Sequence, residues 1–438
     1  MKQILLLGAG KSTWYLIDHL LRVKSELTFS LTICDLTIDN VPIDFPKEHY
    51  EFVSIDLNNP DEREQLIRGK FLVISMLPAF MHPLVAADCV KAGAHFASAS
   101  YESDKMRELK SQIEERGLKF INECGLDPGM DHMSAMKIIH EVHAKGGEVE
   151  SFRSYCGGLI APESNDNPWG YKFSWNPRNV ILAGQGTAKY LDGGKLKLLP
   201  YQRLFQHTER IVLDNGQVFE GYPNRDSVSY REVYGLHAIK TMIRGTLRME
   251  GFCDAWHILV GLGLTDDSFT FSTQDKMTFR MLTESLLPEC DGQVEQALCQ
   301  LFNIEQNGTT FQKLKWAGIF DTILLKEGNY SPAKHLQDLL EPRWKLKADD
   351  RDLVVMQHIF DVNLAGKKSR ITTDLYVEGA SSRKTAMAKT VGLPLAYAVE
   401  MIIKNDISSP GLYLPIIPSI YEPILKRLEQ NGIVFREH

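Results

Sequence analysis

The sequence predicts an α/β protein: a doubly wound parallel sheet, then a second α+β domain carrying a helical insertion. Three observations lead there. Short apolar strands alternate with amphipathic helices over about the first 125 residues. The first strand runs directly into Gly-x-Gly and a helix. After residue 130 the pattern changes to hairpin turns, a polar-aromatic loop and a run of helices.

The first strand is "QILLLGAG", and the stretch "ILLLGAGKSTWYL" (4–16) carries two competing signatures. Gly-Lys-Ser ends the phosphate loop of triphosphate enzymes. The opening glycine of that loop would fall at position 5, which is Leu5, inside the strand. A kinase-type loop is therefore rejected. The dinucleotide turn fits: Gly8 makes the tight turn, Gly10 lets the backbone approach a pyrophosphate, and the next helix presents its N-terminus to that charge. Lys11, Ser12 and Thr13 complete the turn, with Thr13 where a third glycine is usual. "FSLTICD" ends a second strand at Asp35, 25 residues after Gly10. An acid there accepts hydrogen bonds from ribose hydroxyls and repels a 2′-phosphate, which favours NAD over NADP. "YEFVSID" brings Asp56 to the adenine side, and "KFLVISMLP" ends in Ser75, Met76 and Leu77. "AHFASAS" and "KFINECG" add two more strands, with "PLVAADCVKAG" and "DKMRELKSQIEERG" as helices among them. This is a Rossmann-type arrangement, expected over 1–128.

The remainder divides into a substrate domain over 129–383 and a segment, 384–438, that returns to the first domain. "MSAMKIIHEVHAKG" reads as a helix and "EVESFRSYCGGL" as a strand. "APESNDNPWGYKFSWNPRNVI" is a turn-rich loop whose aromatics argue for order. Residues 193–250 read as hairpins around an Asn-Gly turn, and 252–345 as mostly helical. "RDLVVMQHIFDV" and "SRITTDLYVEG" pair as a hairpin through "NLAGKK". "TAMAKTVGLPLAYAVEMIIKN" is a closing helix.

The formal net charge is -7 without a cluster of five or more basic residues, so no nucleic-acid partner is expected. No uninterrupted apolar run of about 18 residues occurs, so no membrane span is expected. The seven cysteines have no CxxC spacing and fit a reducing cytoplasm. The N-terminal apolar run is too short for a secretory signal. His132, His140 and His143 stand close in sequence, but no further ligand accompanies them and no metal is expected.

Four stretches carry the chemistry: "SYES" (100–103), "ECGLDPGMDH" (123–132), "SYCGGLIAPESNDNPWGYKFSW" (154–175), and "YPNRDS" with "MIRGTLR" (222–227, 242–248). In wording, order and spacing they resemble the saccharopine dehydrogenases of lysine metabolism. The resemblance extends to "LKWAGIF", "RDLVVMQH" and "TAMAKTVGLP". It implies NAD(P)-dependent hydride transfer on a secondary amine joining aminoadipate semialdehyde to glutamate. It further implies that Asp127, Tyr101 and Cys156 line the reaction centre. Ser100, Trp175, Arg225, Arg244, Gly245 and Thr246 join Tyr101 and Asp127 around a small-molecule substrate, supported by Tyr171 and Lys172. Arginine suits such a substrate because a guanidinium clamps carboxylates in pairs of hydrogen bonds. Fungal members place a basic residue where this chain has Asp35, and use NADP. Family members are often homodimers. Two other readings stay open: a carboxynorspermidine dehydrogenase, and a non-catalytic NAD-binding module.

Overall fold

In the computed structural model of the chain, Ile4–Leu7 are wholly buried, so β1 (Lys2–Leu7) is a strand covered on both faces. The structure describes residues 1–42, 44–273 and 276–438. The parts of the 1–128 and 252–345 readings that fall on 43 and on 274–275 lie outside them. After β1 come α1 (Trp14–Val23), β2 (Phe29–Cys34), β3 (Glu51–Val53), α2 (Pro60–Ile67), β4 (Leu72–Ser75), α3 (His82–Ala92) and β5 (His95–Ser98). Then follow α4 (Asp104–Arg107), α5 (Lys110–Glu115), β6 (Lys119–Ile121) and α6 (Met130–Ala144). The segment read as one helix over 104–117 is therefore two, the chain tightening between them where the Leu109 N–H donates to the Met106 carbonyl, only three residues back.

The sheet order is strand Gly411–Tyr413, then β6, β5, β4, β1, β2, β3, and every pair is parallel. Strand order reverses between β1 and β4. In open α/β sheets a ligand crevice lies at the strands' carboxyl ends at such a point.

The chain forms two compact units: 1–148 with 375–436, and 149–374 with 437–438. Helix α6, expected in the second domain, belongs to the first unit. It is buried over most of its surface, and the His140 Nδ1 lies 2.8 Å from the Tyr421 hydroxyl of helix Pro418–Gln430. The amphipathic pattern alone did not reveal that partner. Helix Ala386–Lys404 packs on α1 within the same unit. Gly392 permits the approach, since a Cβ there would lie 2.9 Å from the Leu16 nitrogen. Among the described residues this is the one helix with the length and composition to cross a bilayer, and 89% of its apolar window is buried.

The second unit is built on β7 (Gly147–Ile160), β8 (Thr187–Asp192), β9 (Lys195–Pro200), β10 (Glu209–Val212), β11 (Val218–Pro223) and β12 (Thr241–Arg248). β12 runs parallel to β7 and antiparallel to β11, β10 pairs with β11, and the β8–β9 hairpin joins β12. On the other side of β7 lie strands Asp352–Leu364 and Lys367–Glu378. Their two-residue turn places both Ala365 and Gly366 at positive φ, the geometry that suits a twisted hairpin. Among the described residues five helices lie between β12 and strand Asp352–Leu364, beginning with Phe252–Gly261 and ending with Pro332–Arg343; the periodicity predicts four of them and not Thr309–Ala317. They close around Trp169, Trp256 and Trp344. A short strand pair, Phe271–Thr273 with Gly328–Tyr330, interrupts the helices and was not expected.

Candidate functional site

The first unit carries the dinucleotide turn. Gly8 has φ of 88°, and a Cβ there would meet the Met76 carbonyl oxygen at 2.9 Å. Only glycine makes this turn without strain. The Gly10 Cβ direction meets nothing within 4 Å, which leaves the backbone open to a bulky ligand. Thr13 precedes α1 without a side-chain cap, so its own side chain does not occupy the helix N-terminus, the end that favours an anion. Beside the turn opens a cavity of about 810 Å³, lined by Gly10, Lys11, Trp14, Asn40, Lys47 and Arg383 among others. These features fit a dinucleotide pyrophosphate.

Asp35 sits at the end of β2, as predicted. One carboxylate oxygen accepts from the Ala9 N–H at 2.7 Å. The other accepts from the Leu36 N–H at 2.7 Å and the Asn40 amide at 2.6 Å. The side chain therefore braces the dinucleotide turn, and a carboxylate retains acceptor capacity for a ribose hydroxyl. Asp56 accepts from the backbone and side chain of Asn58, a turn role at the entry to α2. Ser75 is fully buried with its hydroxyl 2.8 Å from His82 Nδ1. Burial lowers the pKa of His82 to about 4. Met76 and Leu77 continue from β4, and Met76 N–H donates to Leu7 O at 2.8 Å.

Beyond β5 and β6 lie the two expected proton-handling groups. The Tyr101 hydroxyl donates to Asp127 Oδ1 at 3.0 Å, and both residues are half-buried. The turn that carries Asp127 is made possible by Gly129, at φ of 146°. A Cβ there would lie 2.2 Å from the Gly125 nitrogen. Asp127 does not cap α6; Gly129 takes that position, and the Asp131 carboxylate accepts the Gly129 N–H at 2.6 Å. Ser100 is tied in by its carbonyl, which accepts from the Glu123 N–H.

A buried network that the sequence reading missed holds these turns. Glu123 accepts the Glu102 N–H at 2.9 Å and lies 2.7 Å from His132 Nε2, while His132 Nδ1 lies 3.6 Å from Asp131. Glu123 thus joins the loop of Tyr101 to the start of α6. His140 pairs with Tyr421 instead, and among the described residues no three His, Cys, Asp or Glu are arranged to hold a metal.

The second unit carries the other candidates. Parallel pairing sets Arg244 opposite Ser154, Gly245 opposite Tyr155 and Thr246 opposite Cys156. A Cβ on Gly245 would lie 2.4 Å from the Tyr155 ring, so this glycine is required by packing. Arg225 lies at φ of 50° in the turn after β11. That turn is laced to β12: Asn224 N–H donates to Arg244 O at 2.8 Å, and Arg244 N–H donates to Ser227 Oγ at 2.9 Å. The two arginines expected around substrate carboxylates are therefore brought to one turn. The Arg244 guanidinium stacks 4.1 Å from the Tyr230 ring centre. Trp175 is half-buried against the aromatic core, and Cys156 is buried. Lys172 is tied to Asp350 at 2.7 Å and Asp166 at 2.8 Å, which fixes the 162–175 loop.

Sequence comparison covers both units. Residues 4–121 match the saccharopine dehydrogenase NADP binding domain, and residues 125–433 match the saccharopine dehydrogenase C-terminal domain. The saccharopine dehydrogenase [NADP(+), L-glutamate-forming] of Pyricularia oryzae is 33% identical over 100% of this chain and 98% of its own. The Saccharomyces cerevisiae protein of the same name is 32% identical, covering 100% and 99%. The apo saccharopine dehydrogenase (L-Glu forming) structure from Saccharomyces cerevisiae superposes with a TM-score of 0.87 at 31% identity, covering 100% of this chain and 99% of that one.

Proposed function

The chain belongs to the saccharopine dehydrogenase family of NAD(P)-dependent oxidoreductases, and from that premise we propose that it is the glutamate-forming enzyme of lysine metabolism. In the reducing direction the amine of glutamate condenses with aminoadipate semialdehyde, water leaves, and the imine takes a hydride and a proton to give saccharopine. The reverse reaction oxidises the secondary amine and returns water to the imine. The dinucleotide supplies or accepts the hydride when bound. Gly8, Gly10 and the start of α1 would hold its pyrophosphate.

The observation that carries the reading is the Tyr101–Asp127 pair at the sheet's carboxyl edge. A free secondary amine is mostly protonated near neutral pH, with a pKa near that of lysine, about 10. Hydride leaves only from the neutral amine, so a carboxylate must hold or take that proton. Asp127 has this role, and Tyr101 donates a hydrogen bond to it. Arg225 and Arg244 hold substrate carboxylates, and Thr246, Trp175 and Cys156 surround them. We assign NAD(H) as the preferred cofactor, on the position of Asp35. The second reading is NADP(H). It is favoured by Lys11, Lys47 and Arg383 around the adjoining cavity and by the NADP(+) in the relatives' names.

A cytoplasmic homodimer with no nucleic-acid or membrane partner completes the proposal. The location is supported by seven unbonded cysteines. The assembly rests on the family resemblance and is tested by light scattering on an eluting peak. The deciding experiment for function follows reduced-nicotinamide absorbance with saccharopine and either NAD or NADP. Turnover with NAD alone supports both assignments, and turnover with NADP alone keeps the function while reversing the cofactor. Silence with both directs the same assay to carboxynorspermidine, and silence there leaves a non-catalytic dinucleotide-binding protein.

A further inference from the structure

We propose that Arg248, together with the hydroxyls of Tyr171 and Tyr222, forms a buried anchor for a carboxylate of the substrate. Side chains alternate along a strand, so Arg244, Thr246 and Arg248 share one face of β12. Arg248 is 4% exposed, yet among the described residues no carboxylate pairs with it. Its Nη1 donates to the Leu247 carbonyl at 2.9 Å, and its Nε has no partner. Three rings surround the guanidinium, with centres 5.4 Å (Tyr171), 5.8 Å (Tyr222) and 5.3 Å (Phe252) away. The buried hydroxyls of Tyr171 and Tyr222 lie within polar reach of Trp175 and Thr246, but neither makes a hydrogen bond of standard geometry.

A guanidinium removed from water without a counter-charge is strongly unfavourable, and stacking on rings offsets only part of that. Polar atoms that are buried and unmet elsewhere in a fold are rare. Here a cation without a carboxylate and two hydroxyls held only loosely, by Trp175 and Thr246, collect at one place. A planar anion satisfies all three, accepting from the guanidinium fork and from both tyrosines.

The neighbours say which anion. Tyr222 stands opposite Thr246 across the β11–β12 pair, and Thr246 stands opposite Cys156. Cys156 is near enough to Arg248 to feel its charge, and Tyr171 lies beside Trp175. The anchor is therefore surrounded by residues already assigned to the substrate. This inference rests on the saccharopine reading, in which three carboxylates must be held. Arg248 adds a third cation to Arg225 and Arg244, deeper in the second unit.

The test uses glutarate, a dicarboxylate that needs no turnover, titrated against the full chain by tryptophan fluorescence. Wild type is expected to give a saturable change. Arg248→Met, which fills the same aromatic box without charge, is expected to weaken glutarate binding roughly 10- to 100-fold, the range for a hydrogen-bonded charge. Arg248→Lys is expected to fall between them. In steady state, Arg248→Lys should raise the KM for saccharopine and leave the KM for the dinucleotide unchanged. Glutarate affinity in Arg248→Met equal to that of wild type overturns the anchor. Should Arg248→Met fail to fold, the Tyr171→Phe, Tyr222→Phe double variant removes only two hydroxyls; unchanged glutarate affinity there also overturns it. Glutarate binding that depends on Arg248 in a protein that does not turn over saccharopine sinks the proposed function and leaves the anchor standing.

Discussion

His82 makes the stability of the first unit depend on pH in a way that can be calculated. The ring lies at the start of α3, 4% exposed, with Nδ1 against the Ser75 hydroxyl at the end of β4. Burial, which disfavours the charged form, takes its pKa from 6.5 to about 4. A helix N-terminus also disfavours a cation. The sign follows directly. Between pH 6.5 and about 4 the unfolded chain binds a proton that the folded chain refuses. Stability from this group is complete above pH 6.5, declines as pH falls, and is gone below about 4. At about 1.4 kcal/mol per pH unit, the full decline is about 3 kcal/mol. His95, lowered to about 4 by burial and by Lys119 and Lys2, adds to the slope in the same window. The assay is urea unfolding at a series of pH values between 4 and 7, on wild type and on His82→Gln. Glutamine keeps a polar atom near Ser75 without a proton to gain. Wild type should lose stability more steeply than the variant as pH falls. Parallel curves would refute the reasoning, because they would mean that His82 titrates alike in both states.

Other consequences follow from the same geometry. Glu123→Ala leaves the Glu102 N–H and His132 without their buried carboxylate, so a loss of about 2 kcal/mol is expected in chemical unfolding. Its kcat should fall too, since the loops of Tyr101 and Asp127 lose their tie. Gly129→Ala forces a Cβ against the Gly125 backbone at a positive φ, so soluble yield or unfolding midpoint should drop sharply, whereas Gly69→Ala, at φ of 77° in open space, should cost about 1 kcal/mol. Asp35→Ser releases the Ala9 N–H and removes a negative charge; the ratio of kcat/KM for NADP to that for NAD should rise, by roughly tenfold or more.

The sequence by itself determined the parallel domain, because buried strands leave apolar runs and a dinucleotide turn leaves glycines at fixed spacing. Gly8, Gly10 and Asp35 stand where that pattern put them. Hairpins and helices of the second unit were also legible, through turn residues and local periodicity. What escaped were relations between distant segments. Helix α6 is amphipathic in sequence, but only packing against helix Pro418–Gln430 assigns it to the first unit. His132 read as one of three neighbouring histidines; the fold turns it toward Glu123 and leaves His140 to Tyr421. Ser75 ends β4 as predicted, whereas β3 stops at Val53, three residues before Asp56, and the two side chains are taken up by His82 and Asn58. Arg248 was visible as the next alternate residue after Arg244 and Thr246, but its lack of an acidic partner was not. Burial and pairing depend on which chains meet across hundreds of residues, and local periodicity does not record that.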